Sequence, residues 1–249
     1  SISTLNISVY LDANGEANIT ASQINAGSAD NCGIDSFAIN FSAFDCDDAG
    51  VNVVILTAWD TSGNSSSATA NVTVSDTTPP SISTQNISIY LDANGEANIT
   101  ASQINNGSAD NCEIDSFAIN FNAFDCDDAG VNVVTLTAWD TNGNSSTAAS
   151  NVTVLDTTPP SISTQNISVY LDANGEANIT ASQINNASAD NCGIDSFAIN
   201  SSAFDCDDAG VNVVTLTAWD VNGNSSSAAA NVTILDTLSP IILANHDTI

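Results

Sequence analysis

Val53-Val54-Ile55-Leu56, then Asp60-Thr61-Ser62-Gly63-Asn64, then Ala68, Ala70, Val72 and Val74 at alternate positions decide the fold. The unbroken apolar run predicts a central strand, apolar on both faces. The Asp/Ser/Gly/Asn stretch predicts a turn, and the period-two run after it a half-buried strand. Upstream, Ile7, Val9 and Leu11 alternate, Asp12-Ala13-Asn14-Gly15-Glu16 turns the chain, and Ala17, Ile19 and Ala21 alternate again. That reads as a hairpin with an Asn-Gly turn. Phe37, Ile39 and Phe41 predict a further strand. Short strands and turns without helical periodicity predict a small β-sandwich.

The pattern then repeats. Ser1-Ile2-Ser3-Thr4 returns as Ser81-Ile82-Ser83-Thr84 and Ser161-Ile162-Ser163-Thr164, a period of 80 residues. A fixed long period marks an array of small domains. The expected units are 1–76, 77–156 and 157–236, with 237–249 a linker and the start of a divergent unit at Ile241-Ile242. Residue 1 falls where later copies follow Pro79-Pro80 and Pro159-Pro160, so the sequence reads as an excerpt. Thr77-Thr78-Pro79-Pro80 is a short, extended connection that sets units end to end.

Charge is the next constraint. There are 29 acidic residues, no lysine and no arginine. Nucleic acid and anionic membranes are poor partners for such a surface. No apolar run approaches the roughly 20 residues of a membrane span. A hydrophobic content of 43% argues against a disordered acidic tail. Uncompensated carboxylates on a folded domain point to metal cations or high salt.

Each unit holds two cysteines: Cys32 and Cys46, Cys112 and Cys126, Cys192 and Cys206. Paired cysteines at fixed spacing in a small domain predict a disulfide within each unit and an oxidising, extracellular setting. Zinc is disfavoured, with 13 residues between the cysteines and no histidine near them.

Asp30-Asn31-Cys32-Gly33-Ile34, Phe44-Asp45-Cys46, Ala58-Trp59-Asp60 with Gly63-Asn64, and Asp76-Thr77-Thr78-Pro79-Pro80 together resemble the hyalin repeat family. The likeness covers all three units and is greatest to the long arrays of Bacteroidetes surface proteins. Relatives often carry a second cysteine pair, which is missing here at Ile82-Ser83-Thr84 and Ser145-Ser146-Thr147-Ala148. The resemblance implies three all-β, immunoglobulin-like domains with a role in adhesion or surface architecture.

The acids fall in turns. On immunoglobulin-like topology, Asp12, Glu16, Asp47 and Asp48 lie where the chain leaves a unit, and Asp30, Asp60 and Asn64 where it enters. Asp47, Asp48 and the linker residue Asp76 are therefore expected to approach Asp110, Asp140 and Asn144 of the next unit. Asp127, Asp128 and Asp156 are expected to face Asp190, Asp220 and Asn224. Such a cluster repels itself unless a cation neutralises it, and calcium takes 6–8 oxygen ligands from irregular loops. Calcium at the junctions is the expectation. Asp12–Glu16 is not an EF-hand, because Ala17 and Gln23 stand where glycine and the bidentate glutamate belong.

Trp59, Trp139 and Trp219 are expected to pack on the sandwich. Catalysis is not expected: the sole histidine, His246, lies outside the repeated units, and general bases and stabilising cations are otherwise lacking. Two functions follow. One is a structural stalk or filament segment of a large bacterial-surface adhesin, partnered by neighbouring repeats and by other copies laterally, with a glycan or protein ligand at an unseen tip. The other is a glycan- or protein-binding module acting through avidity.

Overall fold

The computed structural model describes residues 1–240. The start of a further unit at Ile241-Ile242 and His246 lie outside them. The chain is an all-β array of three immunoglobulin-like domains. The first runs β1 (Ile7–Tyr10), β2 (Ala17–Asn18), the one-turn helix α1 (Ala21–Ile24), β3 (Ile34–Ile39), β4 (Ala43–Phe44), a 3-10 turn (Cys46–Asp48), β5 (Gly50–Asp60) and β6 (Ser65–Ser75). The second repeats it as β7 (Ile87–Tyr90), β8 (Ala97–Asn98), α2 (Ala101–Ile104), β9 (Ile114–Ile119), β10 (Ala123–Phe124), β11 (Gly130–Asp140) and β12 (Ser145–Leu155). The third follows as β13 (Ile167–Tyr170), β14 (Ala177–Asn178), α3 (Ala181–Ile184), β15 (Ile194–Ile199), β16 (Ala203–Phe204), β17 (Gly210–Asp220) and β18 (Ser225–Leu235).

In the first copy one sheet has the order β1-β6-β5-β3, and β2 pairs with β4 in the second. The long β5–β6 hairpin organises the larger sheet, with Trp59 opposite Ser65. Its turn forms because Asp60 Oδ1 accepts the N–H groups of Ser62 and Asn64, both at 2.8 Å, while Gly63 takes φ +85° at no steric cost. β1 runs parallel to β6, Ile7 opposite Val72. The inner face presents Val54, Leu56, Ala70, Val72 and Val74 to Ile19, Ile24 and Phe44 of the other layer. Each large apolar side chain buried this way contributes about 1.5–3 kcal/mol.

Several local expectations are corrected. The turn at Asp12–Glu16 forms, Asp12 N–H donating to Glu16 O at 2.9 Å. It does not join a hairpin: β1 belongs to one sheet and β2 to the other, so the chain changes layers there. Ala21 begins α1 rather than ending a strand. Thr20 N–H bonds to Gln23 Oε1 at 2.7 Å, and the turn delivers Ile24 fully into the core. β5 is covered on one face only, with Val53 at 61% exposure and Ile55 at 39%. The tryptophans share that outer face: Trp59 lies opposite Ser36 and Ser65, and Trp219 is exposed. Among the described residues no helix is long and apolar enough to cross a membrane.

The chain divides into two compact units. One is Ser1–Ile87 with Ile99–Asn122 and Val133–Val152; the other is Ser88–Asn98, Ala123–Asn132 and the described residues from Thr153 onward. The division passes through the second copy, so each junction between successive copies lies inside a unit.

Candidate metal and disulfide junctions

The disulfides cross the junctions. Cys46 bonds Cys112 and Cys126 bonds Cys192, each with Cα atoms 5.3 Å apart and 66 residues between partners in numbering. The pairing expected within each unit is therefore wrong, and Cys32 and Cys206 are free and exposed. The reason is geometric. Cys32 precedes β3, whose six residues at ~3.3 Å each carry the chain ~20 Å away. The next strand, β4, pairs with β2 in the other sheet, and Cys46 lies beside Gly15 there rather than beside Cys32. Cys46 instead opens the 3-10 turn at the far end, where Cys112 joins the apolar cluster of the first copy at 7% exposure. Closing a loop of this length stabilises by ~4 kcal/mol through lost chain entropy, against ~3 for the local bridge.

Beside each disulfide three acids meet. Asp76, Asp110 and Asp140 each place an oxygen within 4.8 Å of the others, as do Asp156, Asp190 and Asp220. Asp76 follows β6 in the linker, Asp110 precedes Cys112, and Asp140 ends β11. Asp76 Oδ1 accepts Thr78 N–H at 3.0 Å and Asn111 Nδ2 at 3.2 Å. Asp110 Oδ2 accepts Cys112 N–H at 2.8 Å. Asp140 accepts Asn142 and Asn144 N–H on Oδ1 and the Asn144 amide on Oδ2, at 2.8–2.9 Å. These bonds hold the carboxylates together without neutralising them.

Buried oxygens remain. Asp76 Oδ2, Asp110 Oδ1, Asp156 Oδ2 and Asp190 Oδ1 have no hydrogen-bond partner. Asp76 is 6% exposed and Asp140 3%. Two like charges ~4.8 Å apart repel by roughly 3 kcal/mol at an effective dielectric of 20, and this chain has no lysine or arginine to offset it. Burial pushes the Asp110 carboxyl above its ordinary value, and the charges of Asp140 and Asp76 push the same way, against the Cys112 N–H. An all-oxygen set fed by loops and one strand end suits a hard divalent cation of calcium type.

The remaining residues expected here are elsewhere. Asp48 Oδ2 accepts Asp45 N–H at 3.1 Å, and Asp45 Oδ1 accepts Asp47 N–H at 3.0 Å. Asp47 and Asp48 thus belong to the capped turn that presents Cys46, and neither joins the cluster. Asp127 and Asp128 do the same around Asp125. Asn144 and Asn224 enter through their amide nitrogens, which donate to the linker carbonyls of Asp76 at 3.3 Å and Asp156 at 3.2 Å. Sequence reasoning missed Asn111 and Asn191, whose Oδ1 atoms are also buried without partners. The signal was their place between Asp and Cys in each Asp-Asn-Cys motif.

No family model and no curated protein matches the chain. Among solved structures it is similar to the I-band fragment I67-I69 from titin, at 12% identity and TM-score 0.42 over 94% of this chain and 98% of that one. It is also similar to the protocadherin gammaB7 EC3-6 cis-dimer structure, at 14% identity and TM-score 0.36 over 94% and 73%. Mouse clustered PcdhgC3 EC1-3 is similar at 15% identity and TM-score 0.32 over 78% and 83%.

Proposed function

We propose that this chain is a stalk or filament segment of an extracellular adhesin, a spacer whose joints are stiffened rather than a module that acts by chemistry. The observation that carries the reading is the pair of junctions at which a disulfide joins successive copies and an acid triad sits beside it. A bridge inside a domain stabilises that domain; one between domains restricts their relative motion. The disulfides fit an oxidising compartment, and the hyalin-repeat resemblance fits a bacterial surface. Calcium is the ion proposed for Asp76, Asp110 and Asp140 and for Asp156, Asp190 and Asp220, where it would neutralise charge and draw linker, loop and strand end together. The residues do not support catalysis: the described part has no basic side chain and no histidine.

Thermal unfolding and small-angle scattering of the whole chain, in calcium and then in chelator, test this. Calcium at about 100 times its Kd is expected to add ~2.7 kcal/mol per site and to change the scattering profile. Identical melting and shape in both would remove calcium from the proposal. Saturable binding of surface glycans by the chain would favour the binding-module reading instead.

A further inference from the structure

Asn111 stands between Asp110, a member of the triad, and Cys112, a member of the disulfide. Its Nδ2 donates to the Asp12 carbonyl at 3.1 Å and to Asp76 Oδ1 at 3.2 Å, so both amide protons are committed to the preceding copy. That fixes the plane of the amide and with it the direction of Oδ1, which is buried and accepts nothing. Asn191 repeats the arrangement, donating to Asp92 O at 3.1 Å and Asp156 Oδ1 at 3.3 Å, with Oδ1 again unpartnered. A buried acceptor without a donor costs about 1–3 kcal/mol, and two junctions tolerate the same defect in the same place. Two aspartates of the same junction also leave an Oδ atom unpartnered, and the partner that satisfies an amide oxygen and carboxylates together is a cation.

We propose that Asn111 and Asn191 supply a fourth, neutral side-chain oxygen to each junctional calcium site, and that the adjoining disulfide sets the affinity of that site. This rests on the calcium reading above. A neutral donor is what the charge balance favours, because three carboxylates already exceed the charge of a divalent ion. The coupling runs through the backbone. Cys46 holds Cys112, and the Cys112 N–H orients Asp110 through Oδ2. The Asn111 carbonyl between them packs against Gly15, where an added Cβ would come within 2.8 Å of it. Cutting the bridge frees the segment that carries two of the four donors. Linkage makes the effect reciprocal: bound calcium must protect the disulfide by the factor by which the disulfide strengthens calcium binding.

Calorimetric titration of the whole oxidised chain with calcium is the test, repeated after dithiothreitol has reduced the bridges. Each reduction gives two cysteine thiols and one oxidised, cyclic dithiothreitol. Reduction is expected to raise Kd ~10-fold or more. In the oxidised chain Asn111→Ala with Asn191→Ala is expected to do the same. Asn111→Asp with Asn191→Asp keeps the oxygen and loses the amide donor, and is expected to bind more tightly than the alanine variant. If the aspartate variant binds as weakly as the alanine variant, the asparagines only bridge the copies and the donor assignment falls. It also falls if the alanine variant binds like the parent. Equal Kd before and after reduction would overturn the coupling. Should the reduced chain unfold, the dithiothreitol concentration that half-reduces the bridges gives the same answer: it must rise ~10-fold in calcium, and no rise refutes the linkage. Absence of any calcium uptake by the oxidised parent would sink the underlying calcium reading, a result distinguishable from all of these.

Discussion

The entry ends of the first and second copies carry nearly the same residues in different surroundings. Asp60 and Asp140 close the same turn, and Asp60 accepts Ser62 N–H, Asn64 N–H and the Asn64 amide as Asp140 accepts its equivalents. Yet Asp140 is buried while Asp60 is half-exposed, and Asp110 is half-buried while Asp30 is exposed. Cys112 is bonded; Cys32 is an exposed thiol. The Asn64 amide and neighbouring N–H groups hold Asp60 below its ordinary carboxylate value, whereas burial drives Asp110 above it. What distinguishes the second end is the linker and cysteine turn of the preceding copy packed over it. At each of the two described junctions the acid triad is assembled from both copies, Asp76 from the first with Asp110 and Asp140 from the second, and likewise Asp156 with Asp190 and Asp220.

Removing the staple should break that contrast most. Cys46→Ser is expected to cost ~4 kcal/mol by denaturant unfolding under non-reducing conditions, whereas Cys32→Ser, a change at the unbonded counterpart of Cys112, should stay within ~0.5 kcal/mol. Equal effects would mean that the bridge does not form across the junction.

Two glycines sharpen it next. Gly15 and Gly63 both have positive φ, but a Cβ at Gly15 would meet Cys46 Sγ at 2.7 Å and the Asn111 carbonyl at 2.8 Å, while Gly63 faces open space. Gly63→Ala should cost ~1 kcal/mol of backbone strain and Gly15→Ala ~2 kcal/mol or more, with a more easily reduced Cys46–Cys112 bridge. A smaller effect at Gly15 would argue against the close packing of the two copies.

Glu113 occupies the place of Gly33 and Gly193 and takes φ +94°. Glu113→Gly is expected to stabilise the first junction by ~1 kcal/mol, read as a raised denaturation midpoint; no gain would mean that the strain is relieved elsewhere.

The smallest effect is on pH. Because the folded-state value of Asp110 is raised, the metal-free folded chain takes up that proton before the unfolded chain does. Stability should then rise slightly as pH falls toward the ordinary value of 3.8, read as a small increase in Tm. Asp12, Asp60, Asp92 and Asp172 have lowered values, so their contribution is lost at still lower pH. Asp110→Asn should remove part of the rise, and calcium saturation should reverse its sign because protons then compete with the ion. A metal-free Tm that falls steadily from pH 7 would contradict the assignment.

Much of this was legible in the residues. The alternation in Ala70, Val72 and Val74 and the turn chemistry of Asp60–Asn64 depend on near neighbours, and both are realised. The placement of Asp76, Asp110 and Asp140 near one another followed from which ends of a sandwich its turns occupy. Asp47 and Asp48 looked equally eligible, because a run of acids does not reveal that Asp45 and Asp48 will cap a 3-10 turn between themselves. Nor did the apolar run in β5 reveal that one of its faces meets water.

By itself the sequence determined the 80-residue period, the β class, the turn positions and the concentration of uncompensated acid at the joints. These follow from periodicity and side-chain chemistry within a few residues. Only the tertiary structure decided which cysteines bond and which oxygens are left without partners. Cys32 is the nearer partner of Cys46 along the chain, and Cys112 the nearer in space. Strand β3 separates the first pair, and the packing of one copy on the next closes the second.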